Sequence, residues 1–317
     1  MKRSTINSLA SALIGGACLL VATSAAAATV DLVAGSFTKT INGRPVHMWG
    51  FKLASDAAGN PTSPGPALTV PPGDTVLTIN LENTLPVPIS LVIPNQNGYV
   101  RGGLNEHVTF TDPEGRTRAR SFVKQTAPGA TLTYTWNNVT PGTYLYYSGT
   151  HSALQVQMGL YGMLKKDAAP ATDQPAEAYA GIPYGSETTW IFGEIDFEVH
   201  DAVQGVPAGA TYENTIKSMI HSIPEVYLLN GEPLTLGTVP SGLTAPTLVR
   251  MLNACYDERI PVVKGHHLEL IAEDGRAYPY TRVENAINLP SLKTRDARLG
   301  ALATDASFYD RRSLSLP

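Results

Sequence analysis

Cysteine is scarce in this chain: only Cys18 and Cys255 carry a thiol among 317 residues. Cys18 lies in an N-terminal segment that reads as a cleaved leader, so the mature chain keeps Cys255 alone and an internal disulfide is excluded. A basic excess is lacking too, with 23 Lys and Arg against 27 Asp and Glu. Without clustered cations to neutralise phosphates, nucleic acid is excluded as an expected partner. Beyond the leader no run approaches the ~20 apolar residues that a membrane-spanning helix needs, so no transmembrane segment is expected. Sustained helical periodicity is missing as well, which leaves long helices without a place.

What is present begins with the leader. Lys2 and Arg3 precede an apolar run over residues 9–22, and the small residues Ser24, Ala25, Ala26, Ala27 and Ala28 follow. This pattern predicts a secretory signal peptide over residues 1–28 and a periplasmic or secreted protein. The 28 Gly and 24 Pro punctuate short runs at intervals of about ten residues, the spacing of β-sandwiches and barrels. Between residues 75 and 83 Leu77, Ile79 and Leu81 alternate with Thr78, Asn80 and Glu82, which predicts a half-buried strand. Leu132, Tyr134 and Trp136 alternate with threonines in the same way, just after the turn signal Pro128-Gly129. Asn42-Gly43 tolerates positive φ at both centres of a tight turn and predicts an opening hairpin.

Residues 168–186 are dominated by Ala, Pro and Gly, lose all apolar period, and read as a linker between domains at 29–167 and 187–317. Asn230-Gly231-Glu232-Pro233-Leu234, with the run 246–253 after it, loosely echoes Pro64-Gly65-Pro66-Ala67-Leu68 and the run 75–83. The two halves are therefore expected to repeat one sandwich.

Pro64-Gly65-Pro66 with Gly73-Asp74-Thr75, Asn83 before Leu85-Pro86, Pro141-Gly142-Thr143-Tyr144, and Gly159-Leu160-Tyr161-Gly162 resemble the first cupredoxin domain of multicopper oxidases. Arg250-Met251-Leu252-Asn253-Ala254, Ala272-Glu273-Asp274-Gly275, Leu289-Pro290 with Lys293-Thr294-Arg295-Asp296, and Tyr309-Asp310-Arg311-Arg312 resemble the second. The likeness covers nearly the whole mature chain. It implies an all-β fold of two tandem cupredoxin-like Greek-key β-sandwiches.

The resemblance also implies copper, held in the family by four His-x-His pairs because imidazole suits that metal. Two pairs should lie in this first domain, and both are absent. After Leu85-Pro86 the ligand positions hold Val92 and Pro94, and after Tyr144-Leu145-Tyr146 they hold Tyr147 and Gly149. Hydrocarbon and bare backbone offer no donor to copper, and a phenol is a poor exchange for imidazole. A blue copper in this domain would need a Cys near Ser148, where serine stands. The family's third domain, which carries the blue copper and the rest of the cluster, has no counterpart before Pro317 and is left to another chain or to none.

His151 follows the emptied pair by two positions and shares its segment with Gln155, Gln157 and Met158. His151 and Met158 are the copper candidates, by the affinity of imidazole and thioether for copper. The alternative for His151 is a loop hydrogen bond. The run 194–200 sets Glu194, Asp196, Glu198 and His200 at every second position, which on a strand gathers them on one face, either as a divalent-cation site or as a solvated surface. His266 and His267 are adjacent, so a strand would point them to opposite faces and prevent joint chelation. His107, near Glu106, has no evident partner, His47 beside Met48 and Trp49 reads as a packed or edge position, and His221 lies in a connection. Tyr144, Tyr146 and Tyr147 read as sandwich aromatics, and Cys255 as a small buried apolar residue.

Two functions follow. The first is a binding, accessory or scaffold subunit that retains the framework with degenerate copper ligands, working with a protein partner or as a homo-oligomer. The second is a copper-dependent oxidase that uses non-standard ligands or a third cupredoxin domain from a partner chain.

Overall fold

The computed structural model describes residues 26–96, 99–100, 108–121, 123–168, 175–205, 218–235, 237–238, 243–302 and 306–312. The first half holds β1 (Ala26–Ile41), β2 (Arg44–Leu53), β3 (Leu68–Val70), β4 (Asp74–Asn83), β5 (Tyr99–Val100), β6 (Val108–Thr111), β7 (Thr117–Ser121), β8 (Thr131–Asn137), β9 (Gly142–Tyr147), the short helix α1 (Ser152–Gln157) and β10 (Tyr161–Lys166). The second half holds β11 (Glu177–Tyr179), β12 (Ile182–Pro183), β13 (Ser186–Ile195), helix α2 (Phe197–Gln204), β14 (Val226–Leu229), β15 (Glu232–Pro233), β16 (Gly237–Thr238), β17 (Thr247–Asn253), β18 (Pro261–Val263), β19 (Leu268–Glu273), β20 (Arg276–Glu284), β21 (Thr294–Leu299) and β22 (Ser307–Asp310).

The same frame is built twice. In the first half a sheet ordered β2-β1-β4-β8-β5 faces a sheet ordered β3-β10-β9. In the second, the order β15-β14-β13-β17-β21-β19-β20 faces β16-β22-β18. Strands β2-β1-β4-β8 correspond to β14-β13-β17-β21, because β1 and β4 are parallel as β13 and β17 are, while β2 and β8, like β14 and β21, pair antiparallel to their neighbours. The alternation of β4 does what the sequence implies: Leu77, Ile79 and Leu81 are buried in a core with Tyr134 and Trp136 of β8. Asn42-Gly43 closes the β1–β2 hairpin with φ of 50° and 80°, and Asn230-Gly231 closes β14–β15 with 52° and 84°, the backbone that a two-residue hairpin turn of matching twist demands.

One expectation is revised. Of the segment 168–186, Ala168 bridges Glu177 and β11 pairs with β12; Ala178 and Tyr179 are buried against Leu248, Ile271 and Ala272 of the second sandwich. The described part of that segment is an ordered arm with its own apolar contacts. Residues 26–28, included in the leader reading, begin β1 and pair with β4, whereas residues 1–25 lie outside the described residues. Among the described residues no helix is long and apolar enough to cross a membrane.

β9 is buried on both faces, since Tyr144 and Tyr146 enter the first core while Leu145 turns outward against Val156, Met163, Ile191, Leu252 and Ala254. The outer face of β9 and β10 is thus covered by β13 and β17 of the second half. At the N-terminal end of β9 the contact becomes polar. Arg250 of β17 is fully buried and donates from Nε to Glu187 (3.0 Å), from Nη1 to Thr143 Oγ1 (2.8 Å) and from Nη2 to Asp167 (2.5 Å). Burial pulls its pKa down, but Asp296, Asp167 and Glu187 outweigh this and raise it, so the cation is kept. Truncation would remove the cation beside the buried Asp296 and leave a cavity lined by the partly exposed Asp167 and Glu187, the latter still paired with Lys165. Arg250→Ala is expected to lower unfolding stability by about 3–5 kcal/mol, and Arg250→Met to lose less by filling the space, as read from urea midpoints at constant m-value.

Candidate functional site

The two ligand-position segments meet. Val92 N donates to Tyr147 O at 2.9 Å and Tyr147 N returns a bond to Val92 O at 3.1 Å, which joins the chain after Leu85-Pro86 to the end of β9. Val92, Pro94, Tyr147 and Gly149 are all half-buried. A Cβ at Gly149 would stand 2.9 Å from Val92 Cγ1, so the glycine is required by the valine side chain lying over it. Burial pushes the Tyr147 phenol upward, which leaves it a neutral hydroxyl rather than an anionic donor.

Alternate residues on the same segments point inward and bond one another. Ser148 Oγ accepts from Ser90 N (3.1 Å) and donates to Gln155 Oε1 (2.5 Å), while Thr150 Oγ1 donates to Ser90 Oγ (2.9 Å) and accepts from Gln125 Nε2 (3.2 Å). Gln155 Nε2 donates to Pro88 O at 3.0 Å. Ser90, Ser148 and Gln155 are fully buried. The network is neutral, and none of its side chains appears among the buried polar atoms that lack a partner. Its hydroxyl and amide oxygens are committed to each other and would be poor copper donors in any case.

The copper candidates are not brought together. His151 is exposed, with φ of 44°, at the N-cap of α1, and Met158 is the C-cap, fully buried in the first core. Seven residues of helical rise separate them, roughly 10 Å along the axis, so they do not converge on one ion. Among the described residues no group of three or more His, Cys, Asp or Glu could hold a metal.

The expected strand face at 194–200 is corrected. β13 ends at Ile195, and Asp196 caps α2 by accepting from Val199 N (3.1 Å), with Ser222 Oγ (2.6 Å) and Ile223 N (2.9 Å) on its other oxygen. Helical geometry scatters the four residues. Glu194 is buried against Arg259 (3.2 Å), Glu198 lies in the first turn of α2, and His200 enters the interior. His266 and His267 are likewise not on a strand but in the turn before β19, and His221 is exposed. His107 lies outside the described residues. Cys255 is buried, its thiol pKa pushed well up by burial, in agreement with an inert apolar role.

His200 is a functional-looking residue that the strand reading misplaced. Its Nδ1 lies 2.6 Å from His47 O of β2, and Nε2 lies 3.2 Å from Gln157 O of α1. A neutral ring has one N–H and can donate to only one of these carbonyls at a time. Burial lowers its pKa below 6.5, more than the two carbonyls and Asp196 raise it, and neighbouring His47 lowers it further.

The sequence matches no family model and no curated protein. Its fold does match solved structures. The blue copper oxidase from Nitrosomonas europaea superposes with a TM-score of 0.67 at 17% identity, over 90% of this chain and 80% of that one. A multi-copper oxidase from Pseudomonas thermotolerans gives 0.62 at 16% identity, over 92% and 62%. The laccase from Botrytis aclada gives 0.59 at 21%, over 90% of this chain and 48% of the laccase. The chain therefore has the all-β fold of multicopper oxidases. Within that fold, the positions that the sequence resemblance assigns to copper-binding histidines carry valine, proline, tyrosine and glycine, and the residues behind them form a closed hydroxyl–amide network.

Two outcomes test this description. Gly149→Ala is expected to cost about 1–3 kcal/mol through overpacking, and Val92→Ala in the same chain to recover part of it, seen as a coupling term in a double-mutant cycle. For His200 the folded ring resists protonation, so the unfolded chain binds more protons below pH ~6.5 and stability falls as pH drops through that value. His200→Gln is expected to flatten the urea midpoint between pH 7 and pH 5, where the parent declines.

Proposed function

We propose that this is an exported member of the multicopper oxidase family whose first-sandwich copper ligands have been replaced, and that it acts as a binding or scaffold subunit. The observation that carries this reading is the pairing of Val92 with Tyr147 and Gly149 above the neutral Ser90–Ser148–Thr150–Gln155 network. A metal cluster at this place would need imidazole nitrogens, and the side chains present offer hydrocarbon, one protonated phenol and oxygens already engaged with each other. The donor set does not fit copper, so no oxygen chemistry is assigned to it. Residues 1–28 support export through their basic, apolar and small-residue succession. The partner is a protein chain or a second copy, because a framework stripped of its own redox centre retains only surfaces and cavities to act through.

Metal content decides the matter. Chain purified from the periplasm, before and after incubation with copper, is expected to hold far less than one copper per chain and to show no strong visible absorption. Near-stoichiometric copper together with dioxygen-dependent oxidation of a phenol rejects the proposal and favours an oxidase completed by other ligands or by another chain.

A further inference from the structure

The seven-stranded sheet of the second sandwich ends at β20, which pairs with β19 and has no strand on its other side. Within β20 only Tyr278 and Glu284 are partly buried, while Tyr280 and Val283 are 86% and 67% exposed. An edge of this kind presents unpaired backbone N–H and C=O groups to an arriving strand. A strand-adding partner would also cover the two large apolar side chains that β20 leaves in water.

The order of side chains along β20 fits a copy of itself. Alternate residues of a strand share a face, and here Arg282 lies 5.1 Å over the Tyr278 ring and 3.4 Å from Glu284. Set antiparallel to a second β20 about a two-fold axis at Tyr280, the strand places Arg276 opposite Glu284 of the second copy, Tyr278 opposite its Arg282, and Tyr280 opposite its Tyr280. On the other face Ala277 meets Val283, and Pro279 meets Thr281. The first three are unlike charges, a cation on a ring and a ring on a ring, all stabilising as cross-strand pairs. Among the described residues Arg276 enters no salt bridge. A slip of two residues one way sets Arg276 against Arg282, where like charges repel, and the other way carries Arg276 past the end of the opposing strand. Proline and charge ordinarily guard an edge. Pro279 lies where the β19–β20 register shifts, between the pairs Leu270–Arg282 and Ala272–Ala277, and withdraws a single donor, while the charges admit one strand in one register.

We infer that β20 is the interface of a homodimer, formed by antiparallel pairing with β20 of a second copy about a two-fold axis at Tyr280, so that two seven-stranded sheets join into one. A two-fold contact must be complementary to itself, and the charge order of β20 meets that requirement. One added strand pair is small beside the ~1,200–2,000 Å² of stable interfaces, so the dimer dissociates on dilution. The inference narrows the partner of the proposed function to a second copy but rests on β20 alone. A metal-poor chain that stays monomeric overturns it and leaves the reading of the copper ligands intact, whereas copper in a dimeric chain does the reverse.

Sedimentation equilibrium of the full mature chain from about 1 µM to about 1 mM, the range in which small interfaces dissociate, is expected to show a monomer–dimer equilibrium. Arg276→Glu and Glu284→Arg each set like charges opposite one another twice in the dimer and are expected to weaken it about tenfold, while the two together restore it to within about threefold of the parent. Rescue by the double exchange separates charge pairing from damage to the fold. Tyr280→Cys is expected to form an intermolecular disulfide on mild oxidation with diamide, because directly opposed Cα atoms about 4.5–5.5 Å apart suit the bond. Arg276→Cys is not, since its counterpart lies at the far end of the paired strands, and Cys255 is buried. A monomer throughout the concentration range overturns the inference, as does a dimer that ignores the charge reversals or is not restored by the double exchange, or cross-linking as strong at position 276 as at position 280.

Discussion

The burial of one guanidinium fixes how the two sandwiches meet. Arg250 lies on a strand of the second sandwich, yet its planar fork reaches Thr143 at the start of β9 and Asp167 just beyond β10, both from the first, as well as Glu187 beside it. Taking such a cation out of water costs several kcal/mol, and only a near-complete set of hydrogen bonds offsets it. The interface therefore tolerates few other arrangements. Around it Tyr179 donates to the buried Asp296 at 2.5 Å, and Thr294 Oγ1 donates to Thr143 O at 2.8 Å. β9 is held at its first residues by the second sandwich and carries Tyr147 and Ser148 at its other end, so the clamp also sets the register of the emptied site.

The frame beneath that site is held by side-chain-to-backbone bonds. Asn83 at the end of β4 donates to Val87 O (2.8 Å) and Thr126 O (3.0 Å) and accepts from Leu85 N (3.0 Å). Asn253 at the end of β17 does the same with Asp257 O (2.8 Å), Leu289 O (2.9 Å) and Cys255 N (2.8 Å). One amide therefore closes the strand end in each repeat, pinning the following loop by backbone groups two and four residues on. In the first sandwich that loop leads to Val92, where relatives are expected to place imidazole. Since side-chain-to-backbone bonds position it, the loop keeps its path when its metal-binding side chains are exchanged.

How much of this was legible in the sequence depends on how local the cause is. β4 and β8 show their alternation because one face of each is buried, and Asn42-Gly43 shows its turn because the φ requirement falls on two adjacent residues. β9 shows none, because the second sandwich covers its outer face and both sets of side chains are apolar or aromatic. The run 194–200 has a strand's period by coincidence, and Asp196 with Glu198 just after it was the signal for a capped helix start that the alternation obscured. Nothing local marked Arg250, whose partners stand 63, 83 and 107 residues away. The arm over residues 175–185 was hidden by its composition, since Ala, Pro and Gly serve a tight hairpin as readily as a linker.

The same reasoning explains why the ligand positions read as empty from the sequence although their replacement did not read as a structure. Single identities at positions 92, 94, 147 and 149 exclude imidazole donors, and that is a local fact. The compensation is distributed: Ser90, Gln125, Ser148, Thr150 and Gln155 come from four segments and tie them by bonds worth about 0.5–1.5 kcal/mol each. Neutral dipoles thus cross-link these segments directly. Because every buried oxygen in the network has a partner, re-admitting a cation would first require breaking bonds whose loss leaves buried polar groups unpaired. Imidazole at one of these positions alone would therefore meet the packed Val92 side chain or a hydrogen-bond network whose members are already paired.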